Sequence, residues 1–163
     1  MTVDPFTIVL VAIIGLVLLS IPAMLIVGLR RQSQRSRGLQ EFAAKHGFTY
    51  ARHDRLPDEI RPLLERARAI PQGWKLEHIR NVMKGRHAGA DLLVFDCQYT
   101  KTGQVTACTV RLFATIACVR RDKSFPWTFV WEAKTGGTQY LEVGGMLAFI
   151  NDAAARFGRS ATA

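Results

Sequence analysis

Apolar residues fill the chain from Phe6 to Leu29 without a single charge (FTIVLVAIIGLVLLSIPAMLIVGL), and no comparable run follows. As a helix these 24 residues extend about 36 Å, enough to cross a hydrocarbon core of about 30 Å. The pattern predicts an N-terminal transmembrane anchor over 6–29. A cleaved signal peptide fits less well. The leading MTVDP has no basic residue, the apolar run outlasts an h-region, and Ser20-Ile21-Pro22-Ala23 is a poor cleavage site.

Beyond Leu29 the pattern changes. Residues 30–38, RRQSQRSRG, read as a basic juxtamembrane connector. Leu39, Phe42 and Ala43 recur at helical spacing, which predicts a helix over 39–46 closed by Gly47. Residues 48–50 alternate like a short strand. A second helix is expected over 58–70, with acids in its first turn and arginines in its last, and Pro71-Gln72-Gly73 ends it. From Trp74 the period becomes two, predicting strands over 76–84, 90–100, 105–120 and 125–133 with hairpin-length breaks. In the longest of these, Cys108, Val110, Leu112, Ala114, Ile116 and Cys118 share one face, while Thr109, Arg111, Phe113 and Thr115 share the other. One buried and one mixed side imply an antiparallel sheet covered on one face. A short strand over 139–143 and a helix over 146–157 complete a domain at 39–157, and 158–163 is a polar tail. The expected fold is α+β: an anchor, then an antiparallel meander covered by two or three helices.

Charge gives the anchor a direction. The chain carries 22 Lys/Arg against 13 Asp/Glu, a net of +9. Arg30, Arg31, Arg35 and Arg37 follow the apolar run at once, whereas only Asp4 precedes it. The positive-inside rule then puts the N-terminus outside and the domain in the cytoplasm, against the inner membrane. These four arginines are the expected contacts for anionic lipid head groups. On a helical wheel Ala12, Gly15, Leu19, Pro22, Ala23 and Ile26 gather on one arc of about 100°. Their small size suits close approach of a partner helix. From residue 38 onward the domain keeps 18 basic and 12 acidic groups, an excess of +6 spread along the sequence.

The succession Leu39-Gln-x-Phe-Ala-x-x-His-Gly-Phe48-x-Tyr50, Asn81-Val-Met-x-Gly85-x-x-x-Gly89, Phe95-Asp96-x-x-Tyr99-Thr100 resembles a group of uncharacterised bacterial proteins that place such a domain behind an N-terminal hydrophobic segment. The likeness covers about residues 39–100 and consists of core, turn and cap positions. It implies domain boundaries and no activity.

Candidate chemistry is sparse. Cys97, Cys108 and Cys118 form no CxxC pair and read as buried thiols of a reducing compartment. His46, His53, His78 and His87 sit apart, without metal-ligand spacing. Asp91 and Asp96, five apart on one strand, face opposite sides and form no carboxylate pair. The glycine pairs 136–137 and 144–145 lack phosphate-loop spacing. No catalytic, metal or cofactor site is assigned. The best surface candidate is Phe125, Trp127, Phe129 and Trp131, spaced two apart on one strand. A core stripe is the plainer account of it, and a docking face the functional one. Basic residues interleave with aromatics from Arg120 to Trp131, a nucleic-acid-like pattern that a membrane tether argues against. The expected function is that of a non-catalytic accessory subunit of a larger membrane complex, respiratory or transport, docking by its span and its domain. A membrane-tethered module for a lipid or other ligand is the first alternative, and an enzyme of unrecognised type the second.

Overall fold

The computed structural model describes residues 5–102, 109–133 and 139–160; the side chains of 5–13, 17–19, 21–25, 102 and 160 are outside that description. The chain divides into two units, Met1–Arg37 and Gly38–Ala163.

The first helix, α1, runs from Pro5 to Lys45 over 41 residues. The expected anchor, connector and first domain helix are therefore one element. Polarity misled here, because Arg and Gln interrupt an apolar run without interrupting a helix. Among the described residues, no helix is long and apolar enough to cross a membrane. The transmembrane anchor over 6–29 and the single-pass architecture are corrected on that finding. The apolar run opens a helix that continues through Arg30, Arg31, Arg35 and Arg37. The orientation argument consequently has no span to act on.

The second unit is an α+β domain built on a five-stranded antiparallel sheet in the order β1-β2-β3-β4-β5. Its strands are β1 (Thr49–Ala51), β2 (Lys75–His87), β3 (Ala90–Thr102), β4 (Thr109–Arg120) and β5 (Phe129–Glu132). A short helix, α2 (Ile60–Arg66), lies between β1 and β2. It ends earlier than expected because Arg68 turns left-handed (φ 54°) and the Ala69 N–H closes back on the Leu64 carbonyl at 3.0 Å. Strands β2 and β3 meet in a two-residue turn in which Ala88 (φ 50°) and Gly89 (φ 82°) are both left-handed, the geometry that suits the natural twist of a hairpin. The expected break at Gly85 is absent, and β2 runs straight through it. A Cβ at Gly85 would sit 2.6 Å from Cδ1 of Phe48, so the glycine makes room for a ring.

Strand β5 is shorter than predicted. Pro126 has no N–H to donate, and the preceding residues form a turn in which the Asp122 carboxylate accepts the Ser124 N–H at 2.8 Å. No strand forms over the described part of 139–143. A 3₁₀ turn at Val143–Gly145 leads into the last helix, α3 (Met146–Ser160).

Both sheet faces are buried, rather than one. Leu92, Val94, Ala117 and Val119 pack beneath Leu39, Ala43, Met146, Phe149 and Ile150. Leu93, Phe95, Cys97, Tyr99, Ile116 and Cys118 point the other way and pack with Ile60 and Leu64 of α2. The unbroken apolar run from Ala114 to Val119, Thr115 excepted, is the sequence form of this two-sided burial.

Candidate functional site

An open cleft of about 930 Å³ lies at the hairpin end of the sheet. Its walls come from β2 (Lys84, Gly85, Arg86), β3 (Asp91, Leu92), the end of β4 (Arg120) and the following loop (Asp122, Lys123, Ser124, Trp127), with Thr49 at the edge.

Strand register makes the arrangement. Arg86 pairs with Asp91, and Asp91 with Arg120, so three charged residues lie in one row across β2, β3 and β4. Cross-strand neighbours stand about 5 Å apart, and the Arg86 guanidinium donates to the Gly89 carbonyl at 3.3 Å. Arg120 Nε lies 3.3 Å from Asp91 Oδ2, with both side chains largely shielded. The guanidinium carbon of Arg120 also sits 4.4 Å from the centre of the Trp127 ring, where a cation meets the negative π face. Two residues along β2, Lys84 pairs with Thr49 of β1, and its ammonium bonds the Asp54 carboxylate. That bond holds the Asp54 carboxyl below its ordinary range. Lys123 comes from the turn that Asp122 closes. Four cations thus converge on one cleft, three of them carried by strands.

The interleaving of basic and aromatic residues from Arg120 onward was the available signal, and it covers only Arg120, Lys123 and Trp127. Lys84 and Arg86 join them only through strand register.

The residues singled out from sequence fall elsewhere. Of the expected seam, Gly15 and Ile26 are described, Ile26 being exposed, while the side chains of Ala12, Leu19, Pro22 and Ala23 lie outside the described residues. Arg30, Arg31 and Arg37 are exposed and Arg35 is half-buried. The aromatic stripe is divided. Phe125 is 47% exposed, Trp127 packs towards the α2 side, and Phe129 and Trp131 pack on the α3 side with ring centres 6.4 Å apart. Arg156 of α3 covers Trp131 at 4.0 Å.

The other titratable groups singled out from sequence lie apart from the cleft. His46 stacks on Phe42, and His87 Nε2 lies 2.7 Å from Asn151 Oδ1. Among the described residues, no three metal-ligating side chains converge. Asp96 is buried in a polar chain. Tyr50 donates to Asn81 Oδ1 at 2.7 Å, Asn81 Nδ2 to Asp96 Oδ2 at 2.8 Å, and Thr115 Oγ1 to Asp96 Oδ1 at 2.8 Å. The backbone N–H of Leu141 closes the chain on Thr115 Oγ1 at 3.1 Å. This network ties four strands and a loop together. Cys97 and Cys118 are buried free thiols, both pushed up to about 12 by burial. Thiols so held do not act as nucleophiles at neutral pH. Cys108 lies outside the described residues.

No family model, curated protein or solved structure matches the chain.

Proposed function

We propose that the domain is a non-catalytic module that binds an anionic small molecule in the cleft between the β2–β3 hairpin and the β4–β5 connection. The observation that carries this reading is the convergence of Lys84, Arg86, Arg120 and Lys123 on one cavity. The volume lies within the range of ligand-binding pockets, about 300–1,000 Å³. A positively lined concavity concentrates field and draws anions. The ligand-binding alternative drawn from sequence is retained with its ligand changed, since these walls suit a charged guest rather than an apolar one.

The reading is tested by calorimetric titration of the full chain with a panel of organic polyanions at moderate salt. Saturable binding is expected, weakened about tenfold or more in Lys84→Ala/Arg86→Ala, because a charged hydrogen bond contributes about 1.5–3 kcal/mol. No saturable binding, or binding equal in the double variant, would sink it. Trp127 fluorescence provides an independent reading of occupancy at the cleft.

Docking onto a larger assembly is the second reading, favoured by Phe125, which stands half-exposed beside the Arg121 guanidinium at 5.7 Å. It predicts that Phe125→Asp abolishes co-purification of a defined partner without altering the melting temperature.

A further inference from the structure

Two of the lining cations already hold carboxylates: Arg120 holds Asp91, which is itself part of the lining, and Lys84 holds Asp54, which is not. The two differ in how firmly they are placed. Asp91 belongs to a paired strand between Arg86 and Arg120 and is part of the wall. Asp54 stands between β1 and α2, outside any helix or strand, and both members of its ion pair reach solvent. An exposed pair of this kind is weak, so a better anion can displace the carboxylate.

Resting on the anion-binding reading above, we infer that the ligand is a phosphate monoester whose head group takes the position of the Asp54 carboxylate on Lys84.

Charge, donor geometry and volume each favour that class. Lys84, Arg86, Arg120 and Lys123 face Asp91 and Asp122 among the lining residues, and Asp54 neutralises Lys84, so displacing Asp54 from Lys84 raises the excess from one positive charge to two. A phosphate monoester carries about −1.5 to −2 at neutral pH and offers three acceptor oxygens. A single carboxylate would neutralise only part of that excess. Arg86 and Lys84 lie on the same side of β2, two residues apart, so one tetrahedral head can meet a guanidinium fork and an ammonium together. Free phosphate would fill only a fraction of about 930 Å³. Trp127 offers apolar surface for an organic body, and Ser124 and Thr49 supply hydroxyls. The Asp54 carboxylate therefore competes with the ligand for Lys84.

The experiment titrates the full chain with adenosine 5′-monophosphate, inorganic phosphate, citrate and adenosine, and repeats the series with Asp54→Asn and Lys84→Ala. A sedimentation arm uses vesicles containing phosphatidic acid, to separate a lipid headgroup from a free ester as the source of the phosphate. The expected result is saturable binding of the monophosphate or the phosphatidic acid vesicles, with adenosine silent and citrate at least about tenfold weaker. Asp54→Asn should tighten binding about two- to fivefold by removing the competitor. Lys84→Ala should weaken it about tenfold or more, while Lys45→Ala on α1 leaves it unchanged. Citrate binding as tightly as the phosphate probes, or an Asp54→Asn variant with unaltered affinity, would overturn the phosphate inference and leave the anion cleft standing. Failure of every anion to bind would remove both. Circular dichroism of each variant confirms the fold, and Lys84→Gln is the second variant should Lys84→Ala not fold.

Discussion

Gly85 and the two thiols show how single residues constrain this domain. A methyl group at Gly85 would lie 2.6 and 2.9 Å from two atoms of the Phe48 ring, and Phe48 is itself buried beside Met83. The ring cannot swing away without opening that core, so Gly85→Ala should cost about 1–3 kcal/mol, read as a lower denaturant midpoint at unchanged slope. Sequence reasoning took this glycine for a turn, since the same residue type serves turns and close approaches alike, and only the position of Phe48 separates them. Cys97 and Cys118 carry a different signature. Burial raises both to about 12, above the value near 8.5 of an unfolded thiol. The folded state therefore holds their protons more tightly, so their contribution is intact below about 8.5 and declines as pH rises towards 12. Between pH 8.5 and 10 the domain should lose about 2 kcal/mol per thiol. Cys97→Ala and Cys118→Ala should each flatten that slope, whatever they do to stability at pH 7. A slope unchanged in both variants would show that other groups carry the alkaline loss.

The hairpin between β2 and β3 is the element that builds the cleft, since it sets Arg86 against Asp91. Its turn uses alanine where the backbone is left-handed, Ala88 at φ 50°. An L-residue with a Cβ carries a cost of about 1–2 kcal/mol there, which glycine avoids and asparagine lessens. Ala88→Gly should stabilise the domain by about 0.5–1 kcal/mol in thermal unfolding and leave the register of the cleft unchanged. A loss of stability would mean that Ala88 makes a contact worth more than the strain. Among the elements, β3 and α3 were legible because their periodicity is long and cleanly bounded, whereas β2 was cut short at Gly85. Strand β5 was overextended because the alternation of Phe125, Trp127, Phe129 and Trp131 ignores the missing donor of Pro126. The strand expected over 139–143 does not form, and the loop there sends the Leu141 N–H to Thr115 Oγ1. Thr115 read as an outward, mixed-face residue; with both faces buried, it became an acceptor for that loop and a donor to Asp96.

At the scale of the whole molecule, the two buried clusters contain every fully enclosed apolar side chain among the described residues, and their members run from Leu39 to Ala153. The cleft draws its walls from Thr49 to Trp127. Core and cleft both fall within the unit Gly38–Ala163. That co-location was partly visible in sequence, because the apolar run ends at Leu29, helical spacing resumes at Leu39 and the period becomes two from Trp74. The chemistry was not visible, since the cleft is a product of register between strands up to 36 residues apart, Arg120 pairing with Lys84's neighbours only through β3. A domain of about 125 residues with its own core has enough burial to fold without disulfides or metals. A fragment covering residues 38–163 should accordingly melt in one cooperative transition, with calorimetric and van't Hoff enthalpies equal. It should also bind the phosphate probe with the affinity of the full chain, because every lining residue is retained. Cooperative melting with lost binding would tie the cleft to residues 1–37, and a broad transition with exposed hydrophobic surface would show that part of the core is supplied from outside the fragment.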